Sequence, residues 1–342
     1  MDIAVIGLGL IGGSLLRALA AAGHRVLGYD ADPATRATAR TEAARSAAGT
    51  RWQVTGSVRD AAEASELVVL AVPLPAVGAV FDELAGMAYT GVVTDVASAK
   101  GAVRDLVASR LRGVHGRFAG YVGGHPMAGR ETSGFAAGDA DLFRGAAWVL
   151  CIEPDTSLPD WLELAALVTS LGARVVPATA DEHDRAVAAV SHVPHLVASA
   201  LAATAYPDPL ALTLAAGSFR DGTRVAASSP DLVAAMCAGN AAAVRDALDA
   251  VLAALGEARD ALDAKDPVAA LRPWLANGRA VRAGWPPAPA SSLDLPARAD
   301  TLLRLGGVGG WVTAVAADRR TVTAVRPAPL QPAPLRPAPG HA

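Results

Sequence analysis

The stretch YVGGHPMAGRETSGF, residues 121 to 135, sets His125, Arg130 and Glu131 among glycines. Flanked by Gly124 and Pro126, His125 has no helix or strand to stabilise. Its imidazole is the one side chain whose ordinary pKa lies near neutrality, so it can take a proton from a substrate hydroxyl as hydride leaves the same carbon. Ser98, in the strand end TDVASAK, offers a hydroxyl to orient that substrate or the imidazole, or simply to cap the next helix. His192 and His195 are spaced to share one helical face, which would also suit a metal, but no third ligand stands near them and no metal is expected. Pro194 between them is expected to break or kink the helix and expose backbone groups.

A second chemistry is written at the N-terminus. Gly7, Gly9 and Gly12 form G-x-G-x-x-G directly after the strand-like IAVI and directly before a helical run. Gly7 permits the tight turn, Gly9 lets backbone approach a pyrophosphate, and Gly12 lets helix and strand pack closely. The amides of the helix start then face the anion. Asp30, 18 residues after Gly12, closes the next strand and can accept bonds from ribose hydroxyls. A carboxylate there repels a 2′-phosphate, so NAD is expected over NADP, although Arg36 is near enough to reach the same region. The expected cofactor contacts are Gly7, Gly9, Leu10, Ile11, Gly12, Asp30 and, at the end of LVVLAVP, Val72 and Pro73. The competing reading is that the glycines make an ordinary turn and Asp30 caps the next element.

These residues need a frame. Short β-branched runs (IAVIGLG, RVLGYD, LVVLAVP, GVVTDVAS) alternate with Ala/Leu/Arg segments over the first half, the rhythm of a parallel, doubly wound sheet. From about Leu158 the pattern turns helical, with helices expected over 159–171, 181–206, 208–217, 230–238 and 240–264. The fold class is therefore α/β, an N-terminal Rossmann-type sheet over 1–156 followed by an all-α domain over 157–285. Residues 286–326 read as a small appendage, a short helix and a strand pair around ADRR, and 327–342 as a Pro-rich tail too poor in apolar residues to order itself.

Composition excludes several classes. With 342 residues, 52% hydrophobic and 18% charged, the chain can bury a large core. The net charge of −3 and the absence of dense Lys/Arg runs argue against nucleic acid, leaving a small-molecule substrate. Cys151 and Cys237 lie far apart without metal spacing, which fits a reducing compartment. The apolar N-terminus opens on Asp2 and is broken by glycines, unlike a signal peptide, and polar residues or prolines interrupt every membrane-length run, so a cytoplasmic location is expected.

Five blocks, GLGLIGGS at 7–14, TDVASAKG at 94–101, GGHPMAGRETSG at 123–134, HDRAVAAVSHVPHLVASAL at 183–201 and GSFRDGTRVAASSPDL at 217–232, together resemble the prephenate dehydrogenase family. The likeness spans about residues 1 to 285. It implies NAD-dependent oxidative decarboxylation of prephenate to 4-hydroxyphenylpyruvate in tyrosine biosynthesis, with arogenate as the alternative substrate. It further implies a homodimer joined through the helices of the second domain. In that scheme His125 is the base, Ser98 bonds the same hydroxyl, and Arg224 grips a substrate carboxylate, with Arg220 as runner-up. His195 contacts substrate, His192 does so or serves as a structural partner, and Glu131 pairs across the cleft with the substrate arginine.

Two positions depart from the family's pattern. Arg130 stands where many relatives carry a small residue, adding a cation that would favour a keto acid over an aminated substrate. Val233 stands where some relatives place an aromatic pocket wall. Two rival readings remain. A β-hydroxyacid dehydrogenase would need a helical lysine, and the second domain holds only Lys265, outside any matching motif. A module that binds NAD without turnover would leave His125, Ser98 and the Arg224 block unexplained.

Overall fold

The computed structural model describes residues 1–111, 120–130 and 132–328. Six parallel strands, Asp2–Ile6 (β1), Arg25–Tyr29 (β2), Gln53–Val54 (β3), Leu67–Leu70 (β4), Val92–Asp95 (β5) and Tyr121–Val122 (β6), lie in the order β3-β2-β1-β4-β5-β6. Helices Leu10–Ala21 (α1), Pro33–Arg45 (α2), Val58–Glu63 (α3), Leu74–Gly86 (α4) and Lys100–Arg110 (α5) cover both faces. Strand alternation explains the sandwich: Ile3, Val5, Leu67 and Val69 enter one core cluster, while Ala4, Ile6, Val68 and Leu70 enter the other. The strand order reverses between β1 and β4, and a crevice at such a switch point is where this architecture takes ligands.

A second sheet follows, in the order β10-β12-β11-β9-β8-β7, from Gly124–Pro126 (β7), Ala147–Cys151 (β8), Arg174–Ala178 (β9), Pro289–Pro296 (β10), Trp311–Val315 (β11) and Thr321–Pro327 (β12). It corrects the expected domain limits. Residues 157–178 do not open the helical unit; Leu158–Ser170 (α6) and β9 belong to the sheet, β9 running parallel to β8. The Val175–Val176 run after Gly172, at φ +80°, is the strand signal that the Ala-rich surroundings obscure.

Residues 286–326 are likewise more than an appendage. The expected helix, Ala299–Gly307 (α14), and hairpin are present, but β10 was not foreseen and β11 pairs with β9 at Val312↔Val175. Leu302, Leu305, Val312 and Val322 thereby join the main core. Of the Pro-rich tail, residues 329–342 lie outside the described residues.

The helical unit comprises Ala180–Val187 (α7), Val193–Ala205 (α8), Pro209–Leu214 (α9), Gly217–Thr223 (α10), Pro230–Gly239 (α11), Ala241–Leu262 (α12) and Pro267–Ala283 (α13). Pro194 does not break its helix. A π turn over Ala188–His192 widens the backbone just before the proline, whose missing amide needs no partner there, and α7 and α8 run on as one 26-residue helix. That helix is long and apolar enough to cross a membrane by length and composition, contrary to expectation. It nevertheless carries buried His183, Asp184 and His192 inward. Helix α13 was also unforeseen, because Pro273 and Gly278 interrupt its pattern; the Trp274 indole, donating to Ala254 O at 3.1 Å, holds it to α12.

Candidate active site

The glycine turn sits at the switch point, and each glycine answers a different constraint. Gly7 has φ +96°, and a Cβ on it would stand 2.4 Å from Ala71 O, against the end of β4. A Cβ on Gly12 would stand 1.8 Å from Gly7 O, whereas one on Gly9 meets nothing within 4 Å. Helix α1 starts with no side-chain cap, and the amides of Leu10, Ile11 and Gly12 find no acceptor among the described residues. The donor set therefore fits a dinucleotide pyrophosphate. Val72 touches the Gly7 turn and Pro73 opens α4, so both expected contacts border the same crevice.

Asp30 braces this turn before any ligand is considered. Its Oδ2 accepts from Leu8 N at 2.7 Å and its Oδ1 from Asp32 N at 2.9 Å. Each oxygen keeps a further lone pair for a ribose hydroxyl. Arg36 does reach the region, but its Nη1 is committed to the carbonyls of Asp30 at 2.6 Å and Ala31 at 3.0 Å.

His125 lies on a short edge strand and not in an element-free loop: β7 pairs antiparallel with β8, His125 opposite Val149. Gly124 is required, since a Cβ there would lie 2.6 Å from Asp95 O. His125 Nδ1 is 2.8 Å from His183 Nε2, and His183 Nδ1 is 2.7 Å from Asp184 Oδ1. Asp184 also accepts from the amides of Lys100 (Oδ1, 2.8 Å) and Gly101 (Oδ2, 2.8 Å), capping α5 from another helix.

The protons in this chain are then assigned by elimination. Burial pushes the Asp184 carboxyl up, but the bond from His183 and the two amides bring it below its ordinary range, so it is an anion. It accepts from His183 Nδ1–H, leaving His183 Nε2 to accept from His125 Nδ1–H. His125 Nε2 keeps its lone pair and has no partner among the described residues. Burial holds His125 well below the usual histidine pKa, with His183, Lys100 and His192 adding to the effect, so the ring rests neutral. A neutral imidazole backed by an imidazole and a carboxylate is a general base.

His183 and Asp184 escaped the sequence reading. The signal was there: in ADEHDRAVAAV the helix face carrying buried Ala180, Val187 and Ala188 also carries His183 and Asp184, polar residues at core positions.

The other expected residues fall into three groups. Ser98 is half-buried between β5 and α5, its carbonyl toward His192. His192 is fully buried, with Nδ1 3.3 Å from Asn240 Nδ2, and Nε2 has no hydrogen-bond partner among the described residues. Burial lowers its pKa to about 4. Asn240 also donates to Asp184 O at 2.7 Å, so His192 is tied to the relay. His195 Nδ1 donates to Val225 O at 3.1 Å, joining α8 to the turn Arg224–Ala227 and placing exposed Arg224 beside it.

Two arginines are engaged elsewhere. Arg220 is exposed and pairs with its neighbour Asp221 at 3.2 Å, a surface ion pair. Arg130 pairs with Asp139 at 2.5 Å, and Asp139 N donates to Ser14 Oγ on α1 at 3.0 Å. The extra charge is thus answered by a carboxylate, which removes the reason to expect it to repel an ammonium group. Glu131 lies outside the described residues. A cavity of about 650 Å³ beside Glu63, Glu66, Tyr89 and Asp160 opens at the opposite ends of β4 and β5 from Ser98 and takes no part in this chemistry.

Comparison with known proteins settles the lineage. Residues 15–177 match the nucleotide-binding domain, and 179–276 the dimerization domain, of prephenate dehydrogenase. The chain belongs to the prephenate dehydrogenase family. It is 33% identical over 273 residues to the cyclohexadienyl dehydrogenase of Zymomonas mobilis, covering 77% of this chain and 89% of that protein. It is 30% identical over 337 residues to the prephenate dehydrogenase of Bacillus subtilis, covering 95% and 87%. The crystal structure of prephenate dehydrogenase from A. aeolicus with hydroxyphenyl propionate and NAD+ superposes with a TM-score of 0.70 at 25% identity, over 82% of this chain and 96% of that one. The matched nucleotide-binding range takes in Asp30, Ser98 and His125, and the matched dimerization range takes in His183, Asp184 and the His192–Arg224 region.

Proposed function

We propose that this chain oxidises prephenate with NAD, releasing carbon dioxide and 4-hydroxyphenylpyruvate. NAD, when bound, accepts the hydride from the ring carbon that bears the hydroxyl. The glycine turn and the free amides of Leu10, Ile11 and Gly12 hold its pyrophosphate, and Asp30 receives the ribose. His125 Nε2 takes the hydroxyl proton. The positive charge that forms on the ring is stabilised through His125 Nδ1–H by His183 and the Asp184 carboxylate, already in place before reaction. The scissile carboxylate leaves as carbon dioxide while the ring becomes aromatic, so the protein need only position the substrate and collect the proton.

Ser98 presents its hydroxyl to the same oxygen. Arg224 supplies a planar cation for a substrate carboxylate, and His195, its Nδ1 proton fixed by Val225, offers Nε2 beside it. The single observation that carries the reading is the aligned His125–His183–Asp184 chain, which leaves one bare nitrogen. His125→Asn tests it: NAD affinity by calorimetry should be unchanged while turnover falls by about 10²- to 10⁴-fold. Turnover near the parent's would remove His125 from the base role.

We further infer a homodimer in the cytoplasm. The matched dimerization domain and a broad exposed apolar surface, including Leu201, Leu252, Leu255 and Leu275, support the first. Two free cysteines, suited to a reducing compartment, support the second.

A further inference from the structure

Two charged side chains below the relay have no role in the chemistry described so far. Asp95, at the end of β5, is 0% exposed, and Lys100, in the first turn of α5, is 1% exposed. The Asp95 carboxylate is saturated. Its Oδ1 accepts from the Tyr121 hydroxyl at 2.7 Å and from Gly124 N at 3.2 Å; its Oδ2 accepts from Ala97 N at 3.0 Å and from Lys100 Nζ. Gly124 immediately precedes His125, and Ala97 immediately precedes Ser98. One buried carboxylate thus fixes the backbone next to both candidate catalytic side chains. Lys100 joins the two anions of the site, giving its ammonium to Asp95 and its backbone amide to Asp184.

We propose that Asp95 and Lys100 form a positioning and charge-setting pair for His125: Asp95 fixes the strand that carries it, and the buried Lys100 cation limits how readily it takes a proton. The inference rests on the reading of His125 as the base.

The charges around His125 make the case. Lys100 on α5, His183 on α7 and His192 in the π turn act on His125 directly; Asp184 on α7 and Asp95 on β5 lie by His183, His195 on α8 by His192, and Tyr121 on β6, Cys151 on β8 and Glu153 just after it surround Asp95. Tyr121 and Cys151 are held neutral by burial. With the histidines neutral, Lys100, Asp95 and Asp184 sum to one negative charge, and a proton arriving on His125 brings this group to neutrality. Without Lys100 the group would hold two negative charges, and His125 would bind its proton more firmly. Burying a lysine is unfavourable unless it is paired, and the full set of Asp95 bonds meets that cost.

The test is the acid limb of kcat/KM against pH, measured on the full chain with NAD and prephenate. Lys100→Gln keeps a donor for Asp95 and removes the charge. The bonds from Tyr121, Gly124 and Ala97 to Asp95 remain, and the limb should move to higher pH by on the order of one unit. The double variant Asp95→Asn with Lys100→Gln removes both charges and should return the limb toward the parent's. Lys100→Met serves the same comparison if Lys100→Gln fails to fold, with thermal melting of each variant as the check. A limb unmoved in the folded Lys100 variant, or a double variant no closer to the parent than the single, overturns the proposal. His125→Asn separates the two readings: if its activity and acid limb match the parent's, the base assignment has failed, and the Lys100 comparison is not what failed.

Discussion

At the level of single residues, the site's chemistry reduces to which nitrogen of each histidine carries a proton. Asp184 is the origin of that order, since its anion fixes His183, which fixes His125. Asp184→Asn should keep the shape and lose the bias, because an amide can donate where the carboxylate only accepts; we expect kcat to fall by about 10- to 100-fold with a smaller change in KM, read from steady-state kinetics. A raised KM with kcat unchanged in Asp184→Asn would point to substrate binding and not to proton transfer. How much of this was legible beforehand depended on local context. His125 stood out because its neighbours, Gly124 and Pro126, leave few structural uses for it, and Ser98 because it follows the end of a strand-like run. His183 and Asp184 did not, because an Ala-rich amphipathic helix hides two polar residues on its inward face, and their partners lie 58 and 83–84 positions away.

At the level of elements, two turns do most of the positioning. In the glycine turn, Gly12 and Gly9 make opposite predictions. Gly12→Ala drives a Cβ into Gly7 O, so the β1–α1 packing must shift, and both thermal stability and NAD binding should drop. Gly9→Ala meets no protein atom within 4 Å, so the melting temperature should hold while NAD affinity, by calorimetry, falls where backbone must approach the pyrophosphate. Equal losses of stability in the two variants would show that the turn is only a structural hairpin. The β–α rhythm of the first sheet could be read from sequence because apolar runs buried on both faces are short and β-branched. The π turn before Pro194 could not be: proline announces a missing amide, and the sequence does not say whether the chain breaks or widens to accommodate it. For the same reason α13, interrupted by Pro273, was missed.

At the level of the whole molecule, buried histidines couple stability to pH. Burial lowers the pKa values of His125, His183 and His192, the last from 6.5 to about 4. An unfolded chain takes up these protons as pH falls below about 6.5, and the folded one resists until far lower, so stability present at neutrality is lost progressively toward pH 4. Melting temperatures should therefore decline across that window, and His192→Gln should lessen the decline; a flat profile in the parent would contradict the buried neutral state. The exposed leucines of α12 make the assembly testable as well. Leu252→Glu with Leu255→Glu should shift the species seen by light scattering from dimer toward monomer, whereas an unchanged mass would place the interface elsewhere. The outline of two domains was visible in the sequence, but their limits were not, because β9 to β12 complete one sheet from residues about 110 to 150 positions apart. Pairing across such distances leaves no local trace.

If this chain moves hydride from prephenate to NAD with His125 as base, turnover must need both that substrate and that imidazole. The most direct measurement is the appearance of reduced nicotinamide from the purified protein with prephenate or arogenate and NAD or NADP in every pairing, run beside His125→Asn. We predict strong formation with prephenate and NAD and its near-complete loss in the variant. Preference for arogenate would leave the proton relay standing and overturn the substrate; undiminished turnover in His125→Asn, or no reduced nicotinamide in any pairing, would contradict the account.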